Sequence, residues 1–167
     1  MISQTLTILK DCGLLKFEQS NLYYPTIPEL PLLNSFLKDA GLDETVLGIA
    51  LNITSPHSSM PIHIDTGDLN WSLNVPLMNC DSSRVSFYES KQRPKPFSLP
   101  NGVTYLGFED EKSMVCMDSV SCEDVMIINV KKPHKVVNES DKYRVTLLIR
   151  LNSSFSMEDF EEYLSYA

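Results

Sequence analysis

From about residue 45 onward, the chain is dominated by short apolar segments that are separated by turn-rich stretches. None of these segments has the apolar period of an amphipathic helix, and several alternate with period two. Eight of them are predicted to be strands: 45–53, 60–65, 69–77, 84–89, 103–108, 113–120, 124–130 and 143–151. Many short strands at regular spacing predict an all-β sandwich, barrel or jelly roll.

Helical patterns flank the predicted strands. Residues 29–40 are predicted to form a helix that stops before Gly41, a residue that suits a helix end. Residues 156–164 predict a short C-terminal helix with Ser156 as its N-cap. We expect the 167 residues to form one domain, made of an N-terminal helix and loop extension (1–44), a β core (45–151) and a C-terminal helical segment (152–167).

The charge and the cysteine content limit which classes of partner and which cellular compartment we expect for this protein. A formal net charge of −8 disfavours duplex nucleic acid, whose binding depends on Lys and Arg neutralising phosphates. No apolar run approaches the roughly 20 residues that a membrane-spanning helix needs, and residues 1–15 lack the basic start of a signal peptide. The four cysteines contain no Cys-x-x-Cys pair, which favours free thiols. We therefore expect a cytoplasmic protein that binds no membrane.

A His-x-Asp pair, His63 and Asp65, stands at the end of the predicted strand 60–65. Side chains two residues apart on a strand project from the same face, so this imidazole and this carboxylate can reach a common point. His134 follows the predicted strand 124–130. If a neighbouring strand brings it to the same point, two imidazoles and one carboxylate form a set that suits Fe(II) and leaves coordination positions open. These three residues are the predicted metal ligands and catalytic centre.

Two other interpretations of the histidines stay open. His-x-Asp pairs are frequent by chance, so the pair and His134 could be unrelated loop residues. Alternatively, His57 replaces His134 and all ligands are local, although the Ser- and Pro-rich surroundings of His57 favour a solvated loop.

Arg144 lies ten positions after His134, inside the strand-like run 143–151. An arginine that faces an apolar interior is costly unless it meets an anion. Its planar guanidinium matches a carboxylate in a bidentate way, and Thr146, on the same strand face, can add a hydroxyl. Arg144 and Thr146 are therefore predicted to bind a carboxylate co-substrate. The alternative is a solvated face with Arg150 alongside.

Five fragments carry these residues and their neighbours: Ile62-His63-Ile64-Asp65, Trp71-Ser72-Leu73-Asn74-Val75-Pro76, Phe87-Tyr88, Pro133-His134 and Arg144-Val145-Thr146. Together they resemble the small single-domain Fe(II)/2-oxoglutarate-dependent oxygenases of bacteria and phages. The resemblance covers about residues 45–151. It implies a mainly β fold, a double-stranded β-helix (cupin-like jelly roll) with flanking helices.

The same resemblance implies a chemistry. Fe(II) would be held by His63, Asp65 and His134, and the co-substrate 2-oxoglutarate would reach Arg144 with its distal carboxylate. The implied activity is that of a dioxygenase, which uses O2 to hydroxylate a substrate and releases succinate and CO2. The resemblance does not identify the primary substrate.

Two further side chains are candidates for the co-substrate site. Asn74 shares a strand face with Ser72, and it is predicted to point either at the co-substrate or at solvent. Tyr88, in the predicted strand 84–89, is predicted to hydrogen-bond a carboxylate, with an ordinary core or surface tyrosine as the alternative. Trp71, the only tryptophan, is predicted to pack.

The stretch 90–102 contains three prolines and three basic residues and is predicted to be the longest loop. It is either a solvated hairpin loop or a flap that recruits an anionic substrate.

Two function classes compete with an oxygenase. The first is a cupin that binds Zn or Mn for hydrolysis, isomerisation or sugar binding, and such a protein needs no dicarboxylate anchor at Arg144. The second is a non-catalytic jelly-roll interaction domain, in which substitution of His63 or His134 has only small effects on stability.

Overall fold

The computed structural model describes residues 21–23, 31–99, 102–158 and 160–161. In chain order, its elements are β1 (Asn21–Tyr23), α1 (Pro31–Asp39), β2 (Val46–Thr54), β3 (Ser58–Ser59), β4 (His63–Asp65), β5 (Trp71–Met78), β6 (Ser83–Glu89), β7 (Lys95–Ser98), β8 (Thr104–Gly107), β9 (Val115–Ser121), β10 (Met126–Asn129), β11 (His134–Asn138) and β12 (Arg144–Leu151). A 3-10 helix at Glu111–Ser113 links β8 to β9. Residues 157, 158, 160 and 161 are helical, as the C-terminal pattern predicts.

The strands form two antiparallel sheets. The first sheet has five strands in the order β1-β2-β12-β5-β10. The second sheet follows the order β7-β8-β4-β11-β6-β9, with β3 also paired to β11. Eight core strands divide equally between them: β2, β5, β10 and β12 lie in the first sheet, and β4, β6, β9 and β11 in the second. Because the chain crosses between the sheets at almost every core strand, the fold is the double-stranded β-helix of cupin-type jelly rolls.

Helix α1 covers the outer face of the first sheet. Leu33 and Leu37 are four residues apart, so they share one face of the helix, and each is only 4% exposed. They pack in one apolar cluster with three alternate residues of β12, namely Val145, Leu147 and Ile149. With these residues on the outer face, the period of a strand turns Arg144, Thr146, Leu148 and Arg150 towards the interior. The predicted division of this strand into two faces is confirmed.

The helix that was predicted before the strands and the packing of Trp71 are also confirmed. The helix predicted at 29–40 is α1, and Gly41 after it has a φ of 64°, a backbone conformation that favours glycine. Trp71 packs edge-on against Phe155, with 6.0 Å between the ring centroids. Residues 1–20 and 24–30 of the predicted N-terminal extension lie outside the described residues.

β11 and β7 are among the strands that were not predicted. β11 is short and is enclosed by turn-forming residues, Lys132-Pro133 before it and Glu139 to Asp141 after it, so its sequence resembles a loop. β7 lies inside the stretch predicted as the long loop 90–102, and it pairs with β8 as a hairpin. That loop prediction is therefore wrong for residues 95–98. The proline in β7 is tolerated because this strand forms the edge of its sheet.

Cys80, Cys116 and Cys122 are free thiols, as predicted, and Cys12 lies outside the described residues. None of the helical segments that the structure describes combines the length and the apolar character needed to cross a bilayer.

Candidate functional site

A cavity of about 530 Å³ lies between the inner faces of the two sheets. The second sheet contributes His63 and Asp65 from β4 and His134 from β11. The first sheet contributes Asn74 from β5 and Arg144 from β12. The fold therefore gathers these predicted site residues around one space, whose size is typical of a small-molecule site.

The two histidines meet because their strands pair. His63 and His134 are Cα partners across β4 and β11, and their ring centroids are 4.4 Å apart. Each Nδ1 lies within hydrogen-bond distance of a backbone carbonyl two residues earlier, 2.8 Å from Pro61 for His63 and 3.0 Å from Lys132 for His134. Because a carbonyl oxygen only accepts, both Nδ1 atoms carry the hydrogen. In a neutral ring this leaves Nε2 with a lone pair, the arrangement that metal-binding histidines use.

Asp65 completes the set of predicted ligands on β4. Its side chain lines the cavity and is 9% exposed. The backbone after it is held by Lys131, whose Nζ donates hydrogen bonds to the carbonyls of Asp65 (3.0 Å) and Gly67 (2.8 Å). Gly67 has a φ of 68°, so the turn that follows Asp65 uses the conformational freedom of glycine.

Burial shapes the ionisation of this set. Burial, together with the nearby His134, lowers the pKa of His63 to about 3, so this imidazole is neutral at physiological pH. Burial raises the pKa of Asp65, while the charges of His134, Arg150 and Lys131 oppose that rise. A neutral imidazole is ready to bind a metal, and a buried carboxylate gains from a nearby cation.

The donor set matches Fe(II) in chemistry, because two imidazoles and one carboxylate leave coordination positions open. As the side chains stand, however, no three His, Cys, Asp or Glu residues in the described part of the chain are arranged to hold an ion. His63, Asp65 and His134 share one cavity, and a metal would require their side chains to adjust before all three could bind it.

Arg144 is the most unusual side chain in the cavity. It is 2% exposed, and its Nε and Nη1 atoms are buried without a hydrogen-bond partner. Thr54, its Cα partner on β2, lines the cavity with it. Burial raises the pKa of the Cys122 thiol, and the Arg144 charge, together with a side-chain hydrogen bond to Arg144, opposes that rise. Two unpartnered nitrogen atoms on a buried guanidinium are costly, and an anion in the cavity would remove that cost.

Asn74 lines the cavity, as required if it is to point at the co-substrate and not at solvent. It is 6% exposed, and the Ser72 hydroxyl donates a 2.6 Å hydrogen bond to its Oδ1. That bond fixes the amide and leaves its N–H groups for other partners.

The described residues that line the cavity do not include Thr146 or Tyr88. Thr146 is buried beside Cys80, with 3.8 Å between its Oγ1 and the sulfur. Tyr88 lies on the outer face of β6 together with Arg84, which binds Ser119. The inner face of β6 carries Val85 and Phe87, because the alternation of a strand places them opposite Arg84 and Tyr88.

The local rival for His134 is excluded by position. His57 is exposed in a turn with a φ of 49°, and it does not line the cavity.

Sequence reasoning missed Tyr105 and did not assign Arg150 to the site, although both line the cavity. Tyr105 contacts the His63 ring edge-on, with 4.8 Å between the centroids. Arg150 is close enough to oppose the raised pKa of Asp65. Period two places Arg150 on the face of Arg144, which was a usable signal. The position of Tyr105 depends on the pairing of β8 with β4, and no local pattern reveals that pairing.

Comparisons with known proteins find only distant structural similarities. No protein-family model matches the chain, and no curated protein matches it significantly. Escherichia coli ycfD is 12% identical, with 81% of this chain and 33% of that chain covered and a TM-score of 0.46. Bacillus subtilis oxalate decarboxylase, described with Mn(II) centres, is 13% identical, with 85% and 28% covered and a TM-score of 0.43. A cupin 2 conserved barrel domain protein of Salinispora arenicola is 10% identical, with 71% of each chain covered and a TM-score of 0.33.

The chain thus spans about a third of the length of ycfD and less of oxalate decarboxylase. These similarities are too weak to carry a functional argument. The assignment of the jelly-roll fold rests on the strand order itself.

Proposed function

We propose that this protein is an Fe(II)- and 2-oxoglutarate-dependent dioxygenase that hydroxylates an unidentified substrate and releases succinate and CO2. One observation carries the proposal. A buried guanidinium with two unpartnered nitrogen atoms, that of Arg144, shares a cavity with two histidines and an aspartate. A divalent metal together with a dicarboxylate would satisfy both groups, and the sequence resemblance points to the same pair.

His63, Asp65 and His134 would hold the iron. The Nδ1 hydrogen bonds to Pro61 and Lys132 orient both rings, so each Nε2 lone pair is available to the metal. His63 is neutral and has no proton to lose before it binds. Asp65 adds one negative charge, whose burial the metal would offset. When bound, Fe(II) and 2-oxoglutarate supply the oxidation of a substrate C–H bond by O2.

Arg144 would bind the distal carboxylate of 2-oxoglutarate. Its guanidinium is fully desolvated, so a bidentate ion pair there is stronger than one at a surface. Thr54 adds a hydroxyl next to it, and Asn74 adds amide donors from the neighbouring strand. Ile128, Val130 and Val136 form apolar parts of the cavity lining and would exclude water from the co-substrate.

Two other functions would use the same fold. A non-oxidative metal-binding cupin (a hydrolase, an isomerase or a sugar-binding protein) needs the metal ligands and has no use for a buried Arg144. A non-catalytic jelly-roll interaction domain needs neither. The unpartnered atoms of Arg144 therefore favour the oxygenase.

Equilibrium dialysis of radiolabelled 2-oxoglutarate against Mn(II)-loaded protein tests the proposal without a known substrate. The expected result is one molecule of 2-oxoglutarate per protein, bound only when the metal is present. Metal binding without any 2-oxoglutarate binding would favour the non-oxidative cupin. Binding of neither would favour the interaction domain.

A further inference from the structure

We infer that Tyr105 is a positioning residue for the His63 ring, so that the β7–β8 hairpin sets the metal affinity of the site. The inference rests on the proposed function, in which His63 binds the metal. The hairpin lies outside the eight core strands and joins the second sheet next to β4.

Tyr105 touches the ligand strand at both predicted ligands. It is the Cα partner of Asp65 across β8 and β4. Its ring meets the His63 ring edge-on, with 4.8 Å between the centroids and an interplanar angle of 79°. Tyr105 is only 4% exposed and lines the cavity, so this contact is held within the packed interior.

The His63 ring needs such a contact. Its Nδ1 hydrogen bond to Pro61 fixes one atom of the ring, at 2.8 Å from the carbonyl oxygen. The last side-chain torsion of histidine has broad preferences, so one hydrogen bond leaves the ring some freedom to tilt. The Tyr105 edge on one side and the His134 ring on another, 4.4 Å away between centroids, restrict that tilt. The direction of Nε2 then depends on Tyr105.

Tyr105 is itself held by Phe97. The two residues are Cα partners within the hairpin, and their rings stack with 5.7 Å between centroids and an interplanar angle of 29°. The Phe97 ring lies over Gly107, where an added Cβ would be 2.8 Å from Cδ1 and Cε1 of that ring. Gly107 is also the Cα partner of His63. A series of contacts therefore runs from Gly107 through Phe97 and Tyr105 to the ligand.

Titration of the metal-free protein with Co(II), followed by its visible absorption, tests the inference through metal affinity rather than activity. Tyr105→Phe keeps the ring and should bind Co(II) within about twofold of wild type. Tyr105→Leu removes the edge contact and should weaken binding by about 10- to 100-fold, the range found for groups that orient metal ligands. Gly107→Ala forces Phe97 to move and should weaken binding in the same direction.

Phe155→Leu is the matched control. It makes the same kind of change in the outer core, where Phe155 packs on Trp71 and touches no predicted ligand. It should lower the melting temperature and leave Co(II) affinity unchanged. If the role of Tyr105 is merely structural, Tyr105→Leu should likewise lower the melting temperature and leave Co(II) affinity unchanged.

The outcomes separate the two claims. Failure of the wild type to bind Co(II) would overturn the proposed metal site and the inference with it. Wild-type binding combined with equally tight binding by folded Tyr105→Leu would overturn the inference alone. An equal loss in Tyr105→Phe and Tyr105→Leu would make the hydroxyl responsible and would also overturn it. If Tyr105→Leu does not fold, the Co(II) affinity of Gly107→Ala is compared with that of wild type instead, and equally tight binding would overturn the inference.

Discussion

His63 and His134 are Cα partners across β4 and β11, and each ring donates its Nδ1 hydrogen to the carbonyl of the residue two positions earlier in the chain. The same local geometry is thus used twice, on two strands that are 71 residues apart in sequence (134 − 63). It holds two imidazole rings in the lining of one cavity, which Asp65 also lines. The proposed function depends on this pair and on Arg144.

The charge of Asp65 is expected to destabilise the folded protein when no metal is bound and to be essential for metal binding. Asp65→Asn keeps the shape and removes the charge. Because burial raises the pKa of Asp65, the substitution should increase the melting temperature of the metal-free protein. It should also abolish tight metal binding. Calorimetry and Co(II) titration check the two effects, with the exposed Asp124→Asn as control. A variant that binds metal as tightly as wild type would exclude Asp65 as a ligand.

Arg144→Gln is expected to affect 2-oxoglutarate far more than iron. Loss of a buried charged hydrogen-bonding partner costs about 2–5 kcal/mol, or roughly 30- to 5,000-fold in affinity. Dialysis with labelled 2-oxoglutarate and titration with metal should show this difference. Arg84→Gln, at an exposed position on β6, is the matched control and should change neither. Equal losses for both ligands would make Arg144 a structural residue.

The stability of the metal-free protein should depend on pH through His63. Unfolded His63 takes up a proton below about pH 6.5, whereas the folded pKa is about 3, so the unfolded state binds more protons between these values. Stability therefore falls as the pH falls through this window, by up to about 1.4 kcal/mol per pH unit. Urea unfolding should show a shallower pH dependence in His63→Gln than in wild type. Asp65 is present in both wild type and His63→Gln, so the comparison isolates the contribution of His63.

His57→Gln, an exposed histidine, is the control for that experiment and should keep the wild-type slope. Identical slopes in wild type and His63→Gln would contradict the burial of a neutral His63.

The packing of α1 on the first sheet can be destabilised without substituting a residue that lines the cavity. Leu37 of α1 is 4% exposed in the outer cluster, and its truncation leaves a cavity there. Leu37→Ala should reduce the free energy of unfolding by about 2–5 kcal/mol. Co(II) affinity measured well below the melting temperature should not change, because Leu37 lies on the opposite side of β12 from Arg144. A large loss of affinity would show that the outer core determines the geometry of the cavity.

The sequence predicted what depends on local period. Residues two apart on a strand share a face, which was enough to pair His63 with Asp65 and to separate Arg144 from Val145. The resemblance supplied the jelly roll, and the strand order confirms it.

What the sequence did not reveal depends on pairing between distant strands. β11 resembles a loop in isolation, and its strand conformation comes from its neighbours β4 and β6. Tyr88 and Tyr105 are both tyrosines in predicted strands. Only the register of β8 against β4 brings Tyr105 to the site, whereas Tyr88 lies on the outer face of β6 with Arg84. A one-residue change in register reverses the face of a side chain, and one sequence does not fix the register.

Anaerobic titration of the metal-free protein with Fe(II) and then with 2-oxoglutarate tests the central claim most directly. The account predicts a visible metal-to-ligand charge-transfer band that requires both additions and is absent in His134→Ala. No band in wild type at saturating Fe(II) and 2-oxoglutarate, or the same band in His134→Ala, would contradict it.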